Sequence, residues 1–157
     1  ILMDCDYFVF SSTLLELTKT KFDMMLHDKV YDLTGRNMIE GKDESTLPLV
    51  WATVTLFKKC DNTKAIFDMI KHVQEYYPHY KNLYRIRYSA YRNDYAFAIA
   101  LHQLNLGNSI PTPMTMLATS VDVIDSDPEG IVFKYGDNVN FVTGQDLHIM
   151  DKEWCDG

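Results

Sequence analysis

Leu49-Val50-Trp51-Ala52-Thr53-Val54-Thr55-Leu56-Phe57 is nearly all apolar and rich in β-branched and aromatic side chains. Such a run reads as a strand covered on both faces, because a strand with one face in water alternates apolar and polar residues. It belongs in the middle of a sheet. Just after it, Asp61 or Asn62 can cap a helix whose apolar positions Ala65, Ile66, Met69, Ile70, Val73 and Tyr76 recur about every 3.6 residues. The helix is expected to end before Pro78. A central strand running into an amphipathic helix predicts an α/β fold, a mixed, mostly parallel sheet flanked by helices.

Working outward toward the start, Ile1 to Phe10 is apolar except for Asp4 and Asp6, and reads as a buried strand bounded by Ser11 and Ser12. Either serine can cap a short helix through Leu17, with Glu16 near the offset of a capping box. A second strand is predicted over Phe22 to His27. Asp32 to Thr46 is polar, contains Gly35 and Gly41 and lacks periodicity, so it reads as a surface loop and a candidate substrate lid. Ile1 already falls inside a strand pattern, so a further N-terminal portion is expected to precede it.

Working outward toward the end, a tyrosine-rich stretch, Tyr76 to Tyr91, precedes a helix that Asp94 can cap and Gly107 stops. From Met114 the pattern becomes short strands at 114–118, 121–124, 131–135 and 140–142, with turns at Asp127-Pro128-Glu129-Gly130 and Gly136-Asp137-Asn138. The chain thus closes in a strand-rich tail. Residues 1–157 are expected to form one domain.

Composition narrows the function. No apolar run approaches the roughly 20 residues that cross a bilayer. Cys5, Cys60 and Cys155 are widely spaced and form no CxxC pair, which fits a reducing, cytoplasmic compartment. A net charge of -7 disfavours nucleic-acid partners, since backbone neutralisation needs clustered Lys and Arg. An acidic protein that handles a polyanion usually needs a divalent cation between the two.

Asp4 and Asp6 stand two residues apart at a strand end, a spacing that puts both carboxylates on one face. They either terminate the strand in water or share a hard divalent ion, which relieves their mutual repulsion and can bridge the phosphates of a nucleotide. His148 is either a surface histidine or a third ligand suited to manganese, and Lys152, four residues on, is either solvated or a point charge for phosphate. In Arg92-Asn93-Asp94, either Asp94 caps the helix or the Asp94 carboxylate and Asn93 amide hold sugar hydroxyls. His27 and His79 have weaker claims, His72 and His102 read as structural, and the tyrosines read as packing.

The order of these elements resembles the metal-dependent glycosyltransferases of the GT-A fold, most nearly glycosyltransferase family 8. The strand ending in DxD is similar to Ile1-Leu2-Met3-Asp4-Cys5-Asp6; the central strand and helix beneath the acceptor site, to Leu49–Phe57 and Ala65–Tyr76. The acidic motif that opens a helix is similar to Arg92-Asn93-Asp94-Tyr95, and the closing histidine and lysine to His148 and Lys152. The segments FKKCDNTKAIFDMIKHV and RNDYAFAIALH are also similar to uncharacterised glycosyltransferase-like proteins of large bacteriophages. The resemblance implies a nucleotide-sugar donor, an acceptor it does not identify, and Mn2+ or Mg2+ on Asp4, Asp6 and His148. It also implies Asp94 by the donor sugar, where it is the candidate catalytic nucleophile or base, and Lys152 on the diphosphate; Asn93 and Trp51 are candidate substrate contacts. The family's nucleotide-binding half, which precedes DxD, is not in this sequence. The family's central-strand glycine is also absent, with Trp51, Ala52 and Thr53 in that region, and His148 lacks the family's following glycine and lysine-proline-tryptophan run.

Two other classes compete. Haloacid-dehalogenase-type phosphatases also place DxD after an apolar strand, with the first Asp as nucleophile, and Gly136-Asp137-Asn138-Val139-Asn140 is similar to their later acidic motif. Against this, Phe8 stands where they carry threonine, and Gly136-Asp137 suits a hairpin turn. The other is a non-catalytic structural or interaction domain of viral origin.

Overall fold

A computed structural model describes residues 1–39, 47–117 and 122–149. Its elements in chain order are β1 (Leu2–Met3), β2 (Tyr7–Phe8), α1 (Thr13–Thr18), β3 (Met24–His27), β4 (Val30–Asp32), β5 (Trp51–Phe57), α2 (Asp61–Glu75), α3 (Tyr77–Leu83) and α4 (Asn93–Leu104). There follow β6 (Asn108–Ser109), β7 (Met114–Leu117), β8 (Asp122–Asp127), β9 (Gly130–Tyr135), β10 (Asn138–Thr143) and β11 (Leu147–Ile149). The strands form three sheets, ordered β1-β5-β3-β6, β2-β11-β7-β4 and β10-β9-β8.

The fold is α/β with mixed sheets and a strand-rich C-terminal part, but the pairing is not mostly parallel. β3–β6, β4–β7 and β7–β11 are parallel, whereas β1–β5, β3–β5, β2–β11, β8–β9 and β9–β10 are antiparallel. Central placement of the apolar run is observed, since β5 lies between β1 and β3. Both faces of this sheet are covered. Met24 and Leu26 pack with Ile66 of α2 and with Phe97 and Ala100 of α4. Met25, Val54 and Leu56 pack with Leu14, Met114 and Met116. α4 is buried almost all round, because its Ala96, Ala98 and Ile99 join Val73, Tyr77 and Tyr80 in a further cluster.

Several local expectations change. Ile1–Phe10 is not one strand: β1 and β2 are separated by a turn at Cys5-Asp6 and enter different sheets. Pro78 does not merely stop α2 but opens α3, where its missing N–H costs nothing at the first turn. Glu16 pairs with Lys19 at 2.7 Å rather than closing a capping box. α4 starts at Asn93, so Asp94 lies inside its first turn and does not cap it. The turn at Gly136-Asp137 is as expected, with Tyr135 opposite Asn138 and Gly136 at φ +59. The first part of the expected loop is ordered by Asp32, whose Oδ1 accepts from the amides of Thr34 and Arg36 and from the Thr34 hydroxyl. Residues 40–46 of the candidate lid lie outside the described residues, as do Ala118 and Val121.

Candidate functional site

The turn that divides β1 from β2 lets the two carboxylates attach to different sheets. The Asp4 amide donates to the Thr53 carbonyl at 2.9 Å, and the Thr53 hydroxyl donates to Asp4 Oδ2 at 3.1 Å. Asp4 is thereby tied to β5. The carbonyl of Asp6 accepts the Ile149 amide at 2.9 Å, which ties Asp6 to β11. Their convergence comes from this turn and not from the alternation of a single strand.

β11 supplies the third group. His148 is 3 % exposed, and its Nε2 lies 3.3 Å from Asp6 Oδ1. One ligand atom each from Asp4, Asp6 and His148 fall within 4.8 Å of one another. The ring meets Trp51 edge-on, with centroids 6.1 Å apart, so an aromatic wall holds its plane. Asp6 Oδ1 and His148 Nδ1 are buried without a hydrogen-bond partner among the described residues. Buried polar atoms are rarely left in that state, and a carboxylate oxygen can be satisfied by a cation.

The opposite side is built by an irregularity in the central sheet. Leu26 pairs with Thr55, but His27 pairs with Trp51, so Ala52, Thr53 and Val54 have no partner on β3. Met3 takes Val54, and the Thr53 carbonyl serves Asp4. The Ala52 amide turns to α4 and donates to Asp94 Oδ1 at 2.8 Å. The other oxygen of Asp94 accepts from Arg92 Nη2 at 2.9 Å. Both oxygens of Asp94 are thus engaged, which suits a carboxylate that orients its neighbours.

A cleft of about 260 Å³ collects these parts. Asp4, Asp6 and His148 line it together with Trp51, Ala52 and Thr53 of β5 and with Arg92, Asn93 and Asp94. Every candidate residue of the glycosyltransferase resemblance except Lys152 therefore meets here, and Lys152 lies outside the described residues. Arg92, Ala52 and Thr53 are the additions. A polar β-branched residue in an otherwise apolar run was the signal for Thr53, and adjacency to Asn93-Asp94 was the signal for Arg92. Asp137, at its hairpin tip, is not among the lining residues. A smaller apolar hollow of about 50 Å³, bounded by Leu49, Val50, Tyr88 and Tyr95, shares Trp51, Arg92 and Asp94 with the cleft. The Arg92 guanidinium sits over the Tyr88 ring at 5.3 Å. Three carboxylates against one guanidinium leave the cleft acidic, an environment that attracts a cation. Comparison of the chain with protein-family models, curated proteins and solved structures finds no match.

Proposed function

We propose that the chain carries the metal and sugar-transfer site of a GT-A-type glycosyltransferase, which moves a sugar from a nucleotide-diphosphate donor to an acceptor. The observation that carries this reading is the meeting of Asp4, Asp6, Trp51, Asn93, Asp94 and His148 in one cleft. The donor set fits a divalent ion: two carboxylates and an imidazole favour manganese over magnesium, and Asp6 Oδ1 is otherwise unsatisfied. When bound, such an ion supplies charge stabilisation to a departing diphosphate.

The protein groups do the rest. Asp94 is held by the Ala52 amide and Arg92, and its neighbour Asn93 lines the same cleft, where its amide can hydrogen-bond sugar hydroxyls. Trp51 gives the sugar ring an apolar wall beside the metal ligands, and Lys152 is assigned to the diphosphate. The hollow beside Tyr88 and Tyr95 is assigned to the acceptor, because it opens on the same Trp51 and Asp94.

Thermal unfolding with manganese tests the reading. At a manganese concentration about a hundredfold above Kd, stability should rise by about 2.7 kcal/mol. Asp6→Ala and His148→Ala should each abolish that rise. Calorimetric titration of the full-length protein with a panel of nucleotide-sugars should then show binding only with manganese present. A melting curve indifferent to manganese and magnesium would overturn the metal site, and manganese binding without any nucleotide-sugar binding by the full-length protein would overturn the transferase.

A further inference from the structure

A second cavity, of about 240 Å³, shares no lining residue with the carboxylate cleft. Its lining includes Tyr7, Ser11, Thr13, His27, Gln145 and Asp146. The geometry points to a second small-molecule site, one that takes a neutral polyhydroxyl ligand of the sugar class through His27 Nε2, the Asp146 carboxylate and the Tyr7 hydroxyl.

His27 is the centre of the argument. It is 2 % exposed, and it sits at the register shift of β3, a feature that re-aims side chains near functional sites. Its Nδ1 lies 3.1 Å from the Thr112 carbonyl. A carbonyl only accepts, so Nδ1 carries the proton and Nε2 presents a lone pair. That Nε2 is buried with no hydrogen-bond partner among the described residues. Burial holds the imidazole pKa down to about 4, against the upward pull of the Thr112 carbonyl, Asp28 and Asp146, so the ring is neutral near pH 7.

The other groups narrow the ligand chemistry. Asp146 Oδ1 accepts the amides of Phe10 and Ser11 at 2.9 and 2.7 Å, which fixes a negative charge at the cavity wall. Among the described residues no Lys or Arg lines the cavity, so phosphates and carboxylates are disfavoured. Ser11 and Thr13 are bonded to each other at 3.0 Å, and Gln145 to the Thr115 hydroxyl, so these polar groups are already partnered. The Tyr7 phenol, which also lines the cavity, brings an O–H donor. The site therefore asks for donors at Nε2 and the carboxylate, and offers one donor from Tyr7. Hydroxyl groups, which donate and accept, satisfy all three, whereas an ammonium only donates.

Long-range 15N NMR of the histidine rings during titration with neutral hexoses tests the proposal, with inorganic phosphate and an alkylammonium salt as counter-probes. A saturable shift of His27 Nε2 with a hexose, while His148 stays still, is the expected result. His27→Asn keeps an N–H for the Thr112 carbonyl and removes Nε2, and it should weaken hexose affinity by roughly tenfold or more, as should Asp146→Asn. The proposal is overturned if no hexose moves His27, which would mean a cavity filled by water only. It is equally overturned if phosphate or alkylammonium moves His27 in place of hexoses, or if hexose binding survives His27→Asn unchanged. Should His27→Asn fail to fold, the wild-type titration and Asp146→Asn decide it.

Discussion

Ala52 has a backbone amide for which β3 offers no acceptor, and Asp94 takes it from the first turn of a helix far along the chain. A carboxylate that satisfies such an amide is worth more to the fold than its ion pair with Arg92, whose side chain is 41 % exposed. Asp94→Ala, which strands the amide, should lower stability by about 1–3 kcal/mol. Asp94→Asn, which keeps an acceptor oxygen and loses only the charge, should cost about 1 kcal/mol or less. Urea denaturation of the two variants checks the order; equal losses would mean that the amide bond contributes little. His27 gives a second expectation at this scale. Burial lowers its pKa from 6.5 to about 4 in the folded protein. Between those values the unfolded chain binds more protons than the folded one, so stability falls as pH drops from about 6.5 toward 4, by on the order of 3 kcal/mol. Burial alone would raise the Asp32 carboxyl, but hydrogen bonds from Thr34 and Arg36 hold it below its usual value, so its contribution is lost only at lower pH. Melting temperatures across this range should depend on pH more weakly in His27→Asn than in the wild type.

At the scale of elements, how well the sequence could be read depended on whether the signal was local. α2 follows from its 3.6-residue period, and β5 from its continuous apolar run, because each describes the burial of one element by itself. The split of residues 1–10 was not legible. Apolar residues on either side of Asp4 and Asp6 suit one buried strand as well as two short strands in different sheets, and only their pairing partners decide. His148 was placed after the last strand, yet β11 is a strand of three residues, too short for a periodic signal and held by β2 and β7 on either side. The end of α4 gives a test of backbone geometry. Gly107 has φ +91, and a Cβ there would stand 2.7 Å from Leu101 Cδ2. Gly35, at φ +83, has nothing near that position. Gly107→Ala should therefore destabilise by more than Gly35→Ala, for which backbone strain of about 1–2 kcal/mol is the only term. Paired thermal melts measure the difference.

Across the whole molecule, cohesion is uneven. Met24, Leu26, Val54 and Leu56 in β3 and β5 are essentially fully buried, with side chains packed above and below them. β8 is exposed along most of its length, and Tyr135, Val139 and Phe141 on the other two strands of that sheet are about half exposed or more. Among the described residues this sheet buries Ile131 and Phe133, fewer apolar side chains than β3 and β5 bury together, so its amides should exchange with deuterium before those of β3 and β5. Exchange at equal rates in both sheets would show that they open as one unit.

Binary pattern and turn chemistry in the sequence by themselves determined the α/β class, the buried central strand, the principal helices and the late hairpin, because these depend on which side chains must leave water. They also supplied the candidate residues one by one. Tertiary structure alone decided that Asp4 and Asp6 converge through a turn joining two sheets, and that Asp94 caps an amide of β5. It likewise decided that His27, which had only a weak claim, faces a cavity of its own. Those outcomes depend on contacts between residues remote in sequence, and a local pattern carries no record of which remote group a stranded amide or lone pair will find.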